Sequence, residues 1–541
     1  MKIIKTAMLL ALTPALAPLP GHAADYGAFL TAQYAASQGQ VGLAATGILA
    51  ALGADPENAE LQRDAFGLAL LAGRPEAARI ATALPSNPVA LLLLADRQAR
   101  AGDWAGAELA YAELPHDALL DAVRPLVLAW CQQAQGRTDK ALDSLQEGIN
   151  SGHLSAFYLL HAALIADVAH RDGLANRLYT QLAHSMGDPN VRLAQFLASW
   201  QARGGRLAEA QETIRTLART SPDLAIAVPG LLADIGRAQI TDAKQGIAEV
   251  YVGMAGALRR EDKTSLPAMV LQLALRMQPD LTEAHLVQAE IAATDHQYAQ
   301  AAAALEQVPD SDPLAAIVQA HLADDDARIG KTAQALALLD RLASRYPDRS
   351  DALVQKGDLL AGDKQYRRAI DAYSKAIARV PDPARGDWFL FYARGAAFER
   401  VHDLPAAEAD MQRALKLFPD QPAVLNFLGF SWADQNRNLA QAHEMIQKAL
   451  DQRPEDGEIV DSLGWVLLRQ GDAHQAVRVL EKAAEMSPVD PTITGHLGDA
   501  YWDAGRKLEA EDQWRRALVL GPDAEDAKRI EARLKSADAA P

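Results

Sequence analysis

A set of six residues recurs through the carboxyl half of the chain at a nearly constant interval, and no other feature restricts the fold so sharply. Gly464, Leu467, Ala476, Leu480, Ala483 and Pro488 form one set, and a shift of 34 gives Gly498, Tyr501, Ala510, Trp514, Ala517 and Pro522. About 35 residues earlier stand Gly429, Trp432, Ala442, Ile446, Ala449 and Pro454, with the extra residue in the Asn436-Arg437-Asn438 turn. Before them come Gly395, Phe398, Ala407, Met411, Ala414 and Pro419, and then Gly357, Leu360, Ala369, Tyr373, Ala376 and Pro381. The gap of 38 between Gly357 and Gly395 places an insertion of about four residues around 381–386. A period of this size means one supersecondary unit per repeat, which cannot bury its apolar face alone and must stack on its neighbours.

The residue types say what the unit is. Small residues recur where two helices cross closely (Gly464, Ala476, Ala483), and large ones fill the space between them (Leu467, Leu480). Turns such as Gln470-Gly471-Asp472 and Ala504-Gly505-Arg506 separate the helices, with glycine closing the first. Proline follows the second helix, where its missing N–H costs nothing. Upstream the pattern weakens but keeps phase: Ala32, Ala44, Ile48, Ala51 and Pro56 fit one unit, and Ala198, Ala210, Ile214, Leu217 and Pro222 another. Between them Ala77, Ala107, Ala141 and Ala175 recur at intervals of 30, 34 and 34.

This pattern resembles the tetratricopeptide repeat (TPR) family. The resemblance implies an all-α, right-handed superhelical solenoid of about fourteen helix-turn-helix repeats from about Asp25 to Asp523. The expected organisation is degenerate repeats over 24–222, a degenerate repeat or hinge over 223–247, a regular array over 248–524, and a capping helix and tail over 525–541. Scarce β-branched and aromatic runs also favour helix over strand.

Residues 1–23 read as a separate element. Lys2 and Lys5 precede an apolar stretch from Thr6 to Leu19, broken by Pro14 and Pro18, and Gly21-His22-Ala23 has the small-x-small form of a cleavage site. This is the pattern of a secretory signal peptide cut after Ala23, and the run is too short and proline-broken for a good membrane span. Cleavage would take the net charge from -17 to about -19. No later stretch reads as a span, and no cysteine near the cut is available for lipidation. A soluble periplasmic product is the expectation. The acidic balance argues against nucleic acid as a partner, because phosphate binding needs a basic surface. The one cysteine, Cys131, cannot form an internal disulfide and is expected to be a buried small hydrophobe.

Signatures of catalysis are missing. There is no G-x-S-x-G, no Walker A, no H-E-x-x-H and no Gly-rich dinucleotide loop. His443-Glu444 lacks the second histidine, and His161 and His170 are poorly spaced for a shared metal and read as surface or inter-helix residues. Asp324-Asp325-Asp326 lacks the pattern of a calcium loop and is expected on a solvated helix face. No enzyme activity, cofactor or metal is expected.

A binding groove is the better candidate. In a TPR array the first helix of each unit lines a concave surface, with inward positions one residue after the recurrent Gly and two to three before it. These positions, with Arg469 and Trp502 nearby, give a candidate protein-binding groove of Tyr392, Asn426, Phe427, Phe430, Asp461, Ser462, Trp465, Arg469, His496, Asp499 and Trp502. Aromatics with a few polar groups are what protein-binding surfaces use, although the same aromatics could pack between repeats. The carboxylate clamp of chaperone-binding TPR domains needs Asn right after the small residue, where Phe430, Trp465 and Asp499 stand instead.

The run Leu425–Asp434, with Asp461–Trp465, Gly495–Trp502, Gly505-Arg506 and Gln513–Arg516, is similar to a subfamily of proteobacterial envelope TPR proteins. The likeness is tightest over 384–522 and looser from about 243. That subfamily includes a lipoprotein adaptor that activates a carboxyl-terminal processing protease, but this chain lacks the lipid-bearing cysteine. The resemblance implies a non-catalytic scaffold or adaptor in the bacterial periplasm, binding envelope proteins such as a processing protease or its substrates, and admits a homodimer. The alternative is an assembly factor for an exported polysaccharide or secretion complex.

Overall fold

The computed structural model describes residues 25–150, 154–185, 191–261 and 265–538. The segment read as a signal peptide, 1–23, lies outside them. Thirty α-helices and two short 3-10 helices, with no strand among the described residues, run from Asp25–Ser37 to Ala524–Asp538. Twenty-eight helices pair into fourteen antiparallel hairpins; only Val228–Ala233 and the terminal Ala524–Asp538 stand outside the pairing. The described residues form an all-α repeat of two-helix hairpins.

Local chemistry sets each hairpin. Asp456 caps the helix Gly457–Arg469 by accepting from the backbone N–H of Glu458 and Ile459, and Asp490 caps Pro491–Asp503 in the same way. Proline opens the latter helix and Pro422–Asp434, where no N–H is needed. The link to the second helix passes through one left-handed residue, Gly471 in one repeat and Gly505 in the next. Lys364, His402 and Asn436 hold the same seat in earlier repeats, although an L side chain costs about 1–2 kcal/mol there. The recurrent glycine marks the close crossing: a Cβ on Gly464 would lie 2.4 Å from Leu480 Cγ, and one on Gly498 2.5 Å from Trp514 Cδ1. Upstream, Ala77, Ala107, Ala141 and Ala175 are buried at the phase the sequence sets for them.

The chain forms two compact units, one over the described residues of Pro14–Arg345 and one over those of Tyr346–Pro541. The segment 223–247 lies inside the first, as a 3-10 turn, a short helix Val228–Ala233 and a linker into Ala243–Glu261.

In the first unit, late helices pack on early ones. Ala243–Glu261 lies against Ala118–Ala134 and Ser155–Val168, and Leu266–Met277 lies against Ala59–Leu71 and Pro88–Ala101. Gly246 lets the backbone meet the Trp130 ring, where a Cβ would come within 2.2 Å. Trp130 also donates to His161 Nδ1 at 3.1 Å, and burial holds the pKa of that imidazole down at about 3, so it stays neutral. Buried Asp96 accepts from Tyr111 and Tyr251 at 2.5 and 2.6 Å. Arg192 pairs with Glu249 at 2.9 Å and Glu283 at 3.0 Å. Cys131 is buried, and its thiol is pushed up to about 12 by that burial, which makes it inert.

One expectation needs correcting. Asp324 is exposed, but Asp325 and Asp326 are buried, so the acidic triplet is not a solvated face. Successive residues on a helix turn through about 100°, so three in a row cannot share one side. Burial raises the Asp325 carboxyl to about 6, with Asp324 adding to the effect, and Lys331 lies 3.3 Å from Asp326.

In the second unit, each substantial contact joins a helix to its own hairpin or the next one. An exposed His402–Glu525 pair at 4.0 Å is a longer-range exception.

Candidate functional site

Four first helices, Trp388–Arg400, Pro422–Asp434, Gly457–Arg469 and Pro491–Asp503, stand side by side in the second unit. Between them lies a groove of about 560 Å³. Six of the residues singled out by the repeat phase line it: Tyr392, Asn426, Phe427, Phe430, Asp461 and Ser462. The positions three before Gly395 and two and three before Gly429 and Gly464 line the groove, whereas on the fourth helix His496, two before Gly498, does not. Tyr392 and Phe427 meet edge to face at 6.2 Å, and Trp388 packs on Tyr392 at 5.7 Å, extending the aromatic strip by a residue the sequence reading missed.

The other five lie elsewhere. Trp465 is 7% exposed and stacks on His496 of the next repeat, rings 4.2 Å apart and 23° from parallel. His496 is itself buried and shares a hydrogen bond of 2.9 Å with Asp461. Burial opposes charge on this imidazole, but the Asp461 carboxylate outweighs it and holds the His496 pKa above its ordinary value. Asp499 is buried, accepts from Trp514 Nε1 at 3.0 Å and pairs with Arg529 on the terminal helix. It anchors the cap rather than facing a groove. Arg469 is exposed and donates to the carbonyls of Ala433 and Asp434, at the negative end of the preceding helix. Trp502 is half-buried beside Trp514, with Lys507 Nζ 3.6 Å above its ring. The position after the glycine is therefore covered by the next repeat at Trp465 and by the cap at Asp499. Phe430, one repeat earlier, is only partly covered and stays in the groove.

The sequence reading also missed the charge of this surface. Glu399, Asp434, Asp456, Glu458, Asp461 and Asp490 line the groove against a single cation, Arg453. The available signal was Glu399 and Asp434, which follow successive recurrent glycines by four and five residues near the ends of their first helices. Tyr392 registers the field: burial raises its pKa, and the Glu458 carboxylate raises it further. Among the described residues no group of three or more His, Cys, Asp or Glu comes together to hold a metal ion, and no helix is long and apolar enough to cross a membrane.

Comparison with known proteins locates the family signal. The tetratricopeptide repeat model matches residues 321–384, 392–457 and 462–525. A TPR repeat-containing protein of Pseudomonas aeruginosa is 31% identical over 173 residues, 32% of this chain and 28% of that relative. Cellulose synthase operon protein C of Pseudomonas fluorescens is 25% identical over 272 residues, 46% of this chain and 21% of the relative. The chain thus spans under a third of the length of either. Among solved structures, the APC/C hetero-tetramer Cut9–Hcn1 superposes with a TM-score of 0.38 at 15% identity, covering 95% of this chain and 96% of the other. Yeast Tom70 gives 0.33 at 14% identity, with 83% and 95% covered. The chain carries tetratricopeptide repeats across residues 321–525, and helical hairpins of the same two-helix plan occupy most of the rest of its described length.

Proposed function

We propose that this protein is a non-catalytic scaffold or adaptor of the bacterial periplasm that holds envelope polypeptides, among them a processing protease or its substrates, in the groove of its second unit. The tetratricopeptide family supports a protein–protein interaction scaffold. The observation that carries the reading is the partly exposed aromatic strip of Tyr392, Phe427 and Phe430, set on neighbouring helices beside polar side chains. Rigid aromatic anchors in a concave surface bind peptide at low entropic cost.

Affinity capture from native envelope extract tests it, with a Phe427→Ala/Phe430→Ala variant beside the native chain. Both phenylalanines face the groove, so the variant should keep its helical content while losing the partner. Equal capture by both forms would place binding elsewhere on the solenoid. Support for export is the sequence of residues 1–23 alone. Amino-terminal sequencing of the native protein should begin at Ala24, and an intact Met1 would refute it.

The likeness to cellulose synthase operon protein C favours a second reading, an assembly factor for an exported polysaccharide or secretion complex. It predicts co-purification with envelope transport components. For a homodimer, support comes from the first hairpin. Tyr26, Leu30 and Tyr34 line one face of Asp25–Ser37 at 70%, 64% and 70% exposure, and residues 26–54 contain no charged side chain. Two acidic chains can meet there without opposing like charges. Sedimentation should give a dimer that Leu30→Glu/Tyr34→Glu splits, and a monomeric native chain removes this part of the proposal.

A further inference from the structure

We propose that the groove of the second unit selects a cationic segment of its partner polypeptide, carrying a large apolar or aromatic side chain that rests against Phe427 and Phe430. The inference deepens the scaffold reading and depends on it. It begins with the charges left over once the groove's internal partners are counted. Asp456 and Asp490 are spent on the backbone N–H groups at two helix starts, and Asp461 on His496. Arg453, the one cation of the lining, lies 3.9 Å from Asp456. Glu399, Asp434 and Glu458 remain, with no ion-pair partner among the described residues.

Carboxylates that converge on one concavity repel each other, and low-dielectric walls concentrate their field. A cation relieves that repulsion, whereas an acidic peptide or a free carboxyl terminus adds to it. The net charge of -17 on the chain acts in the same direction at longer range. A resident metal does not answer the charge, because the three carboxylates form no metal-holding cluster with their neighbours. The aromatic side chains add the second requirement. Phe427 and Phe430 are three apart on one helix and both line the groove, so a Lys- or Arg-rich segment with an embedded Trp, Tyr or Leu satisfies both halves of the surface. Polypeptide is favoured over a simple polyamine because the apolar half of the groove would otherwise stay wet.

The test uses the full chain and three short, unstructured, fluorescently labelled peptides: one Lys/Arg-rich with a single Trp, the same peptide with Glu in place of every cation, and the cationic peptide with Ala in place of Trp. The first should bind about tenfold or more tightly than either of the others. Its advantage over the acidic peptide should shrink between about 50 mM and about 300 mM salt, as screening requires. Glu399→Gln/Asp434→Asn/Glu458→Gln should abolish most of that advantage with an unchanged circular dichroism spectrum. Equal binding of the basic and acidic peptides, no binding of any, or an undiminished advantage in the triple variant overturns the inference. So does a cationic amino-sugar oligomer that displaces the peptide and binds more tightly. If the charge preference fails while Phe427→Ala/Phe430→Ala still loses the captured envelope partner, only this inference falls. If that variant also captures as the native chain does, the scaffold reading of the groove falls with it.

Discussion

In Tyr346–Pro541 a hairpin is held by the hairpins beside it, while in Pro14–Arg345 a tyrosine and an aspartate 155 residues apart share a buried hydrogen bond. Both units are made of the same two-helix element. The second is close to one-dimensional: contacts repeat with the sequence, and stability is a sum of repeats and nearest-neighbour interfaces. The first unit closes on itself, through Ala243–Glu261 and Leu266–Met277 laid over helices that lie far earlier in the chain. Buried Asp96 is bonded to one of these late helices through Tyr251, and Arg192 to the same helix through Glu249. A nearest-neighbour stack leaves the inner faces of its first helices open, as the groove shows, and a closed unit fills that space with its own helices. Open groove and internal core compete for the same face.

If this contrast is right, damage should spread differently in the two units. The largest effect is expected from Arg192→Met, which strands the buried Glu249 carboxylate and the largely buried Glu283. Breaking such a cluster costs about 3–5 kcal/mol. Hydrogen exchange read peptide by peptide should show lost protection both around 191–203 and around 243–294. Protection lost only near residue 192 would mean the first unit is no more closed than the second.

Asp96 gives a pH-dependent version of the same test. Burial raises its carboxyl to about 7, against lowering contributions from Tyr111, Tyr251, Arg100 and Arg276. The folded state then binds a proton that the unfolded chain, with a pKa near 4, releases earlier. Stability from this group is therefore full below about pH 4 and declines as pH rises toward about 7, by about 2–4 kcal/mol in total. Denaturant titrations of the native chain should show this decline, and Asp96→Asn should flatten it. A slope that survives in the variant would assign the effect to another group, such as Glu249, whose pKa burial also raises.

Gly464→Ala should stay local. Its Cβ would sit 2.4 Å from Leu480 Cγ, and overpacking of this kind costs about 1–3 kcal/mol. Exchange should rise in 457–486 and the two adjoining hairpins while the first unit is untouched. The smallest effect is a gain: Lys364→Gly relieves a left-handed lysine at φ 60 and should add about 0.5–1 kcal/mol, seen as a small rise in the melting midpoint of the second unit.

Much of this was legible in the sequence because the repeat is local. The close crossings at Gly464 and Gly498, the left-handed turns at Gly471 and Gly505, and the buried alanines from Ala77 to Ala175 each follow from residues within one or two periods. The candidate groove was half legible. Phase places a side chain on the inner face of its own helix, which suffices for Tyr392, Asn426, Phe427 and Phe430. It does not say whether the next repeat will cover that face, and so Trp465 and His496 look like their groove counterparts in sequence but bury each other. Asp325 and Asp326 were misread for the same reason, since an acidic run gives no sign of which members a neighbouring helix will enclose.

What the sequence determined by itself is the hairpin and its repetition, because cap, turn and close-packed glycine act within about 34 residues. What only the tertiary structure decided is where the stack stays open and where it closes. That outcome depends on small rotations between successive hairpins, accumulated over many repeats. No single residue encodes them, yet they bring Tyr251 to Asp96 in one unit and leave Phe427 and Phe430 partly exposed in the groove of the other.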